Sequence, residues 1–137
     1  MDLNIHSPLP ARLDWRIGCI GSGFIMNDCH LAAYRKAGFN PVAIASRTQA
    51  NAAKCAGQHD IPTVHDSIEQ LLDDESIEVL DLAVPPDNQL EIIQAACARG
   101  TAKGILAQKP LGANYAEAVV AVEACEQAGI VLAVNQN

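Results

Sequence analysis

Residues 15–27 read WRIGCIGSGFIMN. An apolar run over 16–20 breaks at Gly21-Ser22-Gly23 and resumes as residues that suit a helix. A strand that turns sharply into a helix brings backbone N–H groups and the positive end of the helix to one point, where a pyrophosphate can be held. Gly21 permits the turn, and Gly23 removes the Cβ that would keep a phosphate off the backbone. The third position of the G-x-G-x-x-G spacing falls on Met26, and Gly18 lies too early, inside the strand. The fingerprint is therefore incomplete, and alone it also fits an ordinary strand-to-helix corner. Its weight comes from the strand–helix rhythm of the residues downstream.

A helix is predicted over 25–37, ending at Gly38, and a second strand over 41–46 (PVAIAS). Next come an alanine-rich helix over 48–58 with Thr48 as its cap, and a short strand over 63–65. The segment 67–73 opens with Ser-x-x-Gln, a capping-box pattern. A fourth strand (79–84, VLDLAV) stops at Pro85-Pro86, and a helix over 88–99 closes at Gly100. A fifth strand (104–107, GILA) ends before Lys109-Pro110. A long helix over 114–128 is capped by Asn114 and ended by Gly129, and a sixth strand covers 130–134. The strands are near-continuously apolar rather than alternating, which is the pattern of parallel strands covered on both faces. The expected fold is α/β: a Rossmann-type, doubly wound parallel sheet of about six strands with helices on both faces. Residues 1–14, polar and carrying Pro8 and Pro10, read as a loose leader to a single domain over 15–137.

Composition narrows the function. The 137 residues are 50% apolar and 18% charged, which is a globular balance with enough chain for one core. Net charge is −7, and the nine lysines and arginines are scattered, so no run tracks a phosphate backbone and nucleic acid is disfavoured as a partner. Asp73-Asp74-Glu75 reads as a solvated loop. No run approaches the roughly 20 apolar residues of a membrane span, and the N-terminus lacks the pattern of a secretory signal, so a cytoplasmic location is expected. The odd set Cys19, Cys29, Cys55, Cys97 and Cys125 contains no CxxC pair and reads as small packing residues in a reducing compartment. Cys29, close to the glycine turn, reads as a buried inert thiol rather than a reactive one. Of the four histidines none has metal-ligand spacing, and His30 reads as a packing or surface residue.

An NAD site places an Asp or Glu at the end of the second strand, against the ribose 2′-hydroxyl. Here that strand runs into Ser46-Arg47-Thr48, and no carboxylate occurs between Asp28 and Asp60. Arg47 can pair with a 2′-phosphate and Ser46 or Thr48 can hydrogen-bond it, so the residues favour NADP, with NAD as the alternative.

Taken in order, the glycine turn, Ser46-Arg47, Pro85-Pro86, Gln108-Lys109-Pro110-Leu111 and the closing Asn135-Gln136-Asn137 resemble the Gfo/Idh/MocA oxidoreductases over residues 16–137. The resemblance implies hydride transfer between NAD(P) and a sugar, polyol or related hydroxyl or carbonyl compound. It assigns cofactor contacts to Gly21, Gly23, Phe24, Ile25, Ser46, Arg47, Pro85, Pro86, Asn88, Gln89, Gln108, Lys109, Pro110 and Asn137. It makes Lys109 the catalytic residue, beside the nicotinamide and the reacting carbon, where it could hydrogen-bond the substrate oxygen and assist proton transfer. It also implies a second, substrate-binding domain absent from this chain, association into homo-oligomers, and no turnover by the 137 residues alone. Three positions depart from the family pattern: Gln108 where Glu is common, Gln89 where His is common, and Met26 at the third small position. The alternative reading is a non-catalytic, dinucleotide-sensing regulator of the same fold.

Overall fold

The computed structural model describes residues 8–136. Asn137 lies outside them, as do residues 1–7 of the expected leader. The strands are β1 (Arg16–Ile20), β2 (Asn40–Ala45), β3 (Thr63–Val64), β4 (Val79–Leu82), β5 (Gly104–Gln108) and β6 (Val131–Asn135). The helices are α1 (Leu31–Ala37), α2 (Gln49–His59), α3 (Ile68–Leu72), α4 (Pro86–Arg99) and α5 (Tyr115–Ala128). A π-helical segment, Ile25–His30, runs directly into α1.

All six strands pair in parallel, in the order β3-β2-β1-β4-β5-β6. After β3 the chain crosses back to lay β4 against the other side of β1. The strand order therefore reverses between β1 and β4, which opens a crevice at their carboxyl ends. One face carries Ile17, Cys19 and Ile44 against Leu31, Ala52 and Cys55 of α1 and α2. The opposite face carries Ile20, Leu80, Leu82 and Ile105 against residues of α3, α4 and α5. Burial on both faces is why the central strands are apolar at consecutive positions.

Local signals place most ends of these elements. Gly38, Gly100 and Gly129 all stand in the left-handed conformation that closes a helix. Ser67 Oγ accepts the Gln70 N–H, while Gln70 Oε1 reaches back to the N–H of Asp66, one residue earlier than in the usual box. Asn114 Oδ1 accepts the Glu117 N–H at 3.0 Å, and Glu117 Oε2 accepts the N–H of Ala113 at 3.0 Å. Asn114→Ala is expected to cost about 1 kcal/mol in urea-induced unfolding, the usual worth of an N-cap. A loss below about 0.3 kcal/mol would show that Glu117 alone suffices.

Several expectations change. Thr48 holds the cap position in extended backbone, but its side chain accepts no helix N–H. Helix α4 begins at Pro86, not at residue 88, because proline suits the first helical position, where no N–H is required. Met26 is fully buried, and the helix that carries it starts with the wider π turn instead of an α turn. Cys29 is exposed rather than buried, while Cys19, Cys55 and Cys125 are core residues. The end of the expected leader is not loose: Arg12 pairs with Glu78 at 2.8 Å and lies 3.8 Å from the centre of the Trp15 ring. Lys103 pairs with the same carboxylate at 2.7 Å.

Candidate functional site

The glycine turn sits at the reversal point of the sheet. Gly21 has φ +106°, and its N–H donates to Ala45 O at 2.9 Å. A Cβ at Gly21 would stand 2.3 Å from Ala83 O, so the turn is wedged between the ends of β2 and β4. Gly23 differs: a Cβ there would meet nothing within 4 Å. Glycine is therefore not required at residue 23 by packing within the chain. The space it leaves open lies over the start of the helix, which is the room a phosphate needs.

A cleft of about 410 Å³ opens from this turn. One wall is Ser46, Arg47, Thr48 and Asn51; the other is Val84, Pro85, Asn88 and Glu91 from the start of α4. Ile68, Leu72, Ile92 and Ala95 give it an apolar part between α3 and α4, with Glu69 at the rim. The Ser22 hydroxyl donates to Ser46 Oγ at 2.9 Å, which joins the glycine turn to the β2 wall. The cleft thus gathers Gly21, Gly23, Ser46, Arg47, Pro85 and Asn88 of the residues expected from the sequence. Phe24, which is 71% exposed, and the half-buried Ile25 stand just beyond it, and Pro86 is taken up by the first turn of α4. The residues here fit a dinucleotide: backbone donors and an open glycine for the pyrophosphate, hydroxyls and a guanidinium at the ribose end, and an apolar slot for a flat base.

Gln108, Lys109 and Pro110 lie further along the same edge, at the end of β5. Lys109 is exposed, and the Lys109–Pro110 peptide is cis. Gln89 departs from the expected cofactor contact. It is completely buried, and its amide is fully engaged: Nε2 donates to Gln108 O at 2.8 Å and to Pro110 O at 2.7 Å, and Oε1 accepts the Gln108 N–H at 2.9 Å. Its place is behind the turn, holding it, because three backbone groups left bare by the end of β5 need partners inside the protein. Gln108 turns its Oε1 back onto the Lys109 N–H at 2.8 Å.

One cluster has no counterpart among the residues expected from the sequence. Asp81 in β4 is fully buried, and its carboxylate accepts His30 Nδ1–H at 2.9 Å and Tyr34 Oη–H at 2.6 Å. Asn135 Nδ2 lies 2.9 Å from His30 Nε2. The hydrogen bond to Asp81 raises the His30 pKa against the opposing effect of burial. Burial, reinforced by the Asp81 charge, pushes the Tyr34 hydroxyl far up. The signal is an aspartate inside the apolar run VLDLAV: a buried charge must have partners, though the sequence does not say which. His30 is therefore neither a simple packing residue nor a surface one.

Among the described residues no helix is long and apolar enough to cross a membrane. Nor, among them, do three or more His, Cys, Asp or Glu side chains come together to hold a metal ion.

The fold and this edge define a dinucleotide-binding domain of the Rossmann type. The chain belongs to the Gfo/Idh/MocA family, described as an oxidoreductase family with an NAD-binding Rossmann fold, whose model matches residues 15–136. The D-xylose 1-dehydrogenase (NADP(+)) 2 of Haloferax volcanii is 32% identical over 115 residues, 84% of this chain and 35% of that protein. The human trans-1,2-dihydrobenzene-1,2-diol dehydrogenase is 32% identical over 104 residues, 74% of this chain and 30% of that one. Among solved structures, an NAD binding oxidoreductase from Klebsiella pneumoniae superposes with a TM-score of 0.81 at 29% identity, over 90% of this chain and 34% of that one. A 3-ketoreductase from Actinomadura kijaniata, in complex with TDP-benzene and NADP, does so with a TM-score of 0.80 at 25% identity, over 89% of this chain and 38% of that one. The chain spans about a third of the length of these relatives.

Proposed function

We propose that this chain is the coenzyme-binding domain of an NADP-preferring dehydrogenase or reductase acting on a sugar, polyol or diol, with the substrate held largely by a second domain. The observation that carries this reading is the wall at the end of β2. Ser46, Arg47 and Thr48 line the cleft without a carboxylate among them, and the Ser22–Ser46 hydrogen bond makes that wall continuous with the glycine turn. Relatives named as a xylose dehydrogenase and a dihydrodiol dehydrogenase support the substrate class.

Each part of the edge then has a task. The amides around Ser22 and the open Gly23 hold the pyrophosphate. Arg47 and the hydroxyls of Ser46 and Thr48 hold the 2′-phosphate, and the slot between Leu72 and Ile92 takes the adenine. The nicotinamide supplies the hydride chemistry when bound. Pro85 and the Gln108–Lys109 end of β5 would hold that half, and the Lys109 ammonium would hydrogen-bond the substrate oxygen and assist proton transfer. Gln89 keeps the Gln108–Pro110 turn in place beneath that lysine.

Titration with NADPH and NADH, followed by nicotinamide fluorescence, tests the coenzyme assignment. NADPH is expected to bind at least about tenfold more tightly, a difference of about 1.4 kcal/mol. Arg47→Ala should erase most of that difference by weakening NADPH while leaving NADH within about twofold, since a charge-assisted hydrogen bond is worth about 1.5–3 kcal/mol. Tighter binding of NADH by the wild type would overturn the NADP preference. No binding of either nucleotide would overturn the function.

A further inference from the structure

Three of the four side chains in the buried cluster come from distant parts of the chain. His30 closes the π-helical segment beyond the glycine turn, Asp81 is inside β4, and Asn135 is the last residue of β6. In the sheet order β6 is three strands from β1, so the His30–Asn135 contact ties the first helix to the far side of the sheet. Asn135 also pairs with Gln108 in the β5–β6 register. The turn that presents Lys109 is thus held from two sides: by Gln89 beneath it, and by a strand end whose side chain is anchored on His30.

The partners dictate the protonation pattern. A carboxylate only accepts, so His30 Nδ1 carries a proton directed at Asp81. In the neutral ring Nε2 then accepts from Asn135 Nδ2–H. The groups facing the imidazole and its partner are Asp81 from β4, Tyr34 from α1, Asn135 from β6, and the Cys19 thiol of β1 beside Asp81. A carboxylate–imidazole–amide chain of this kind fixes ring tautomer, ring orientation and amide orientation together. Replacing a buried charged pair by packed apolar residues is often neutral or stabilising, so stability by itself is a weak reason for such a cluster.

We propose that the His30–Asp81 pair is a positioning device for the nicotinamide half of the site: through the Asn135 side chain it fixes the end of β6, and with it the Gln108–Lys109 end of β5. The inference rests on the coenzyme reading above. His30 and Asp81 are positioning residues here, since they act through Asn135 and the β5–β6 pairing.

The test separates the two halves of the coenzyme. NADPH and adenosine 2′,5′-bisphosphate, which lacks the nicotinamide half, are titrated against wild type, His30→Ala, Asn135→Ala and the double variant. Asn135 is half-buried at a strand end, so its variant is expected to fold even where His30→Ala does not. Each single variant is expected to weaken NADPH about tenfold and to leave the bisphosphate within about twofold, and the double variant to be no worse than either single, because one linkage is lost in all three. A parallel loss of both nucleotides would make the cluster merely structural and overturn the proposal. So would unchanged NADPH affinity in Asn135→Ala, or additive losses. Wild type that binds the bisphosphate and NADPH equally well would remove the nicotinamide half from this edge and overturn it too. Wild type that binds neither nucleotide would instead overturn the coenzyme reading on which the proposal stands.

Discussion

Gly21→Ala is expected to destabilise the domain by at least about 3 kcal/mol in urea-induced unfolding and to abolish measurable coenzyme binding. The new Cβ would stand 2.3 Å from Ala83 O and 3.0 Å from Ala83 C. Backbone is the obstacle, so no rotamer change relieves the clash. The conformation is also one that side chains oppose, since φ is +106°. Nor can the turn slide away. Gly21 N–H is bonded to Ala45 O, and the Ala83 N–H to Ile20 O, each at 2.9 Å, so the segment is fastened to both neighbouring strands. Gly23→Ala provides the contrast. A methyl group there enters open space, so stability should stay within about 0.5 kcal/mol of wild type. NADPH affinity should nonetheless fall at least about tenfold, because the methyl occupies the volume assigned to phosphate. A stable Gly23→Ala domain that binds NADPH as well as wild type would show that no phosphate approaches this turn.

Lys109→Ala is expected to cut turnover of the intact enzyme at least about tenfold. A group assisting proton transfer contributes about a hundredfold or more, and water standing in for the lost ammonium narrows the gap. The side chain is exposed at the end of β5, so its removal leaves no cavity and should not shift the unfolding midpoint. NADPH affinity should fall less than turnover does, which places most of the loss in kcat rather than in coenzyme binding. Lys109→Arg keeps the charge but not the small ammonium or its ability to give up a proton, and should recover little. Full turnover in Lys109→Ala would remove the residue from the chemistry. A parallel loss of stability would mean that the turn, not the ammonium, had been damaged.

The same division between local and distant forces explains which features are legible in the chain. Strand β1 begins and ends where the apolar run 16–20 does, and Asn114 caps α5 as the Asn-x-x-Glu spacing implies. Such features depend on residues within a few positions of one another. The first turn of the first helix is not legible, because its π geometry accompanies a buried Met26 packed by residues from other elements. The place of Gln89 after Pro85-Pro86 suggests a cofactor contact, but the sequence does not show the two carbonyls and one N–H that claim its amide. Residue type alone buries Cys29, and the helix turns it outward.

From its residues alone, then, the chain specified parallel strands interleaved with helices, a glycine turn at the first crossover, and an arginine just past the end of the second strand. Each of these comes from backbone sterics, from apolar periodicity, or from chemistry carried by adjacent positions. Tertiary structure alone decided that His30 meets Asp81, fifty-one positions later, and that Asn135 closes on the same imidazole from the last strand. A buried carboxylate has to find partners, but many residues could serve. Which of them arrives is set by how the helices settle on the sheet, a global balance of packing that no short stretch of sequence contains.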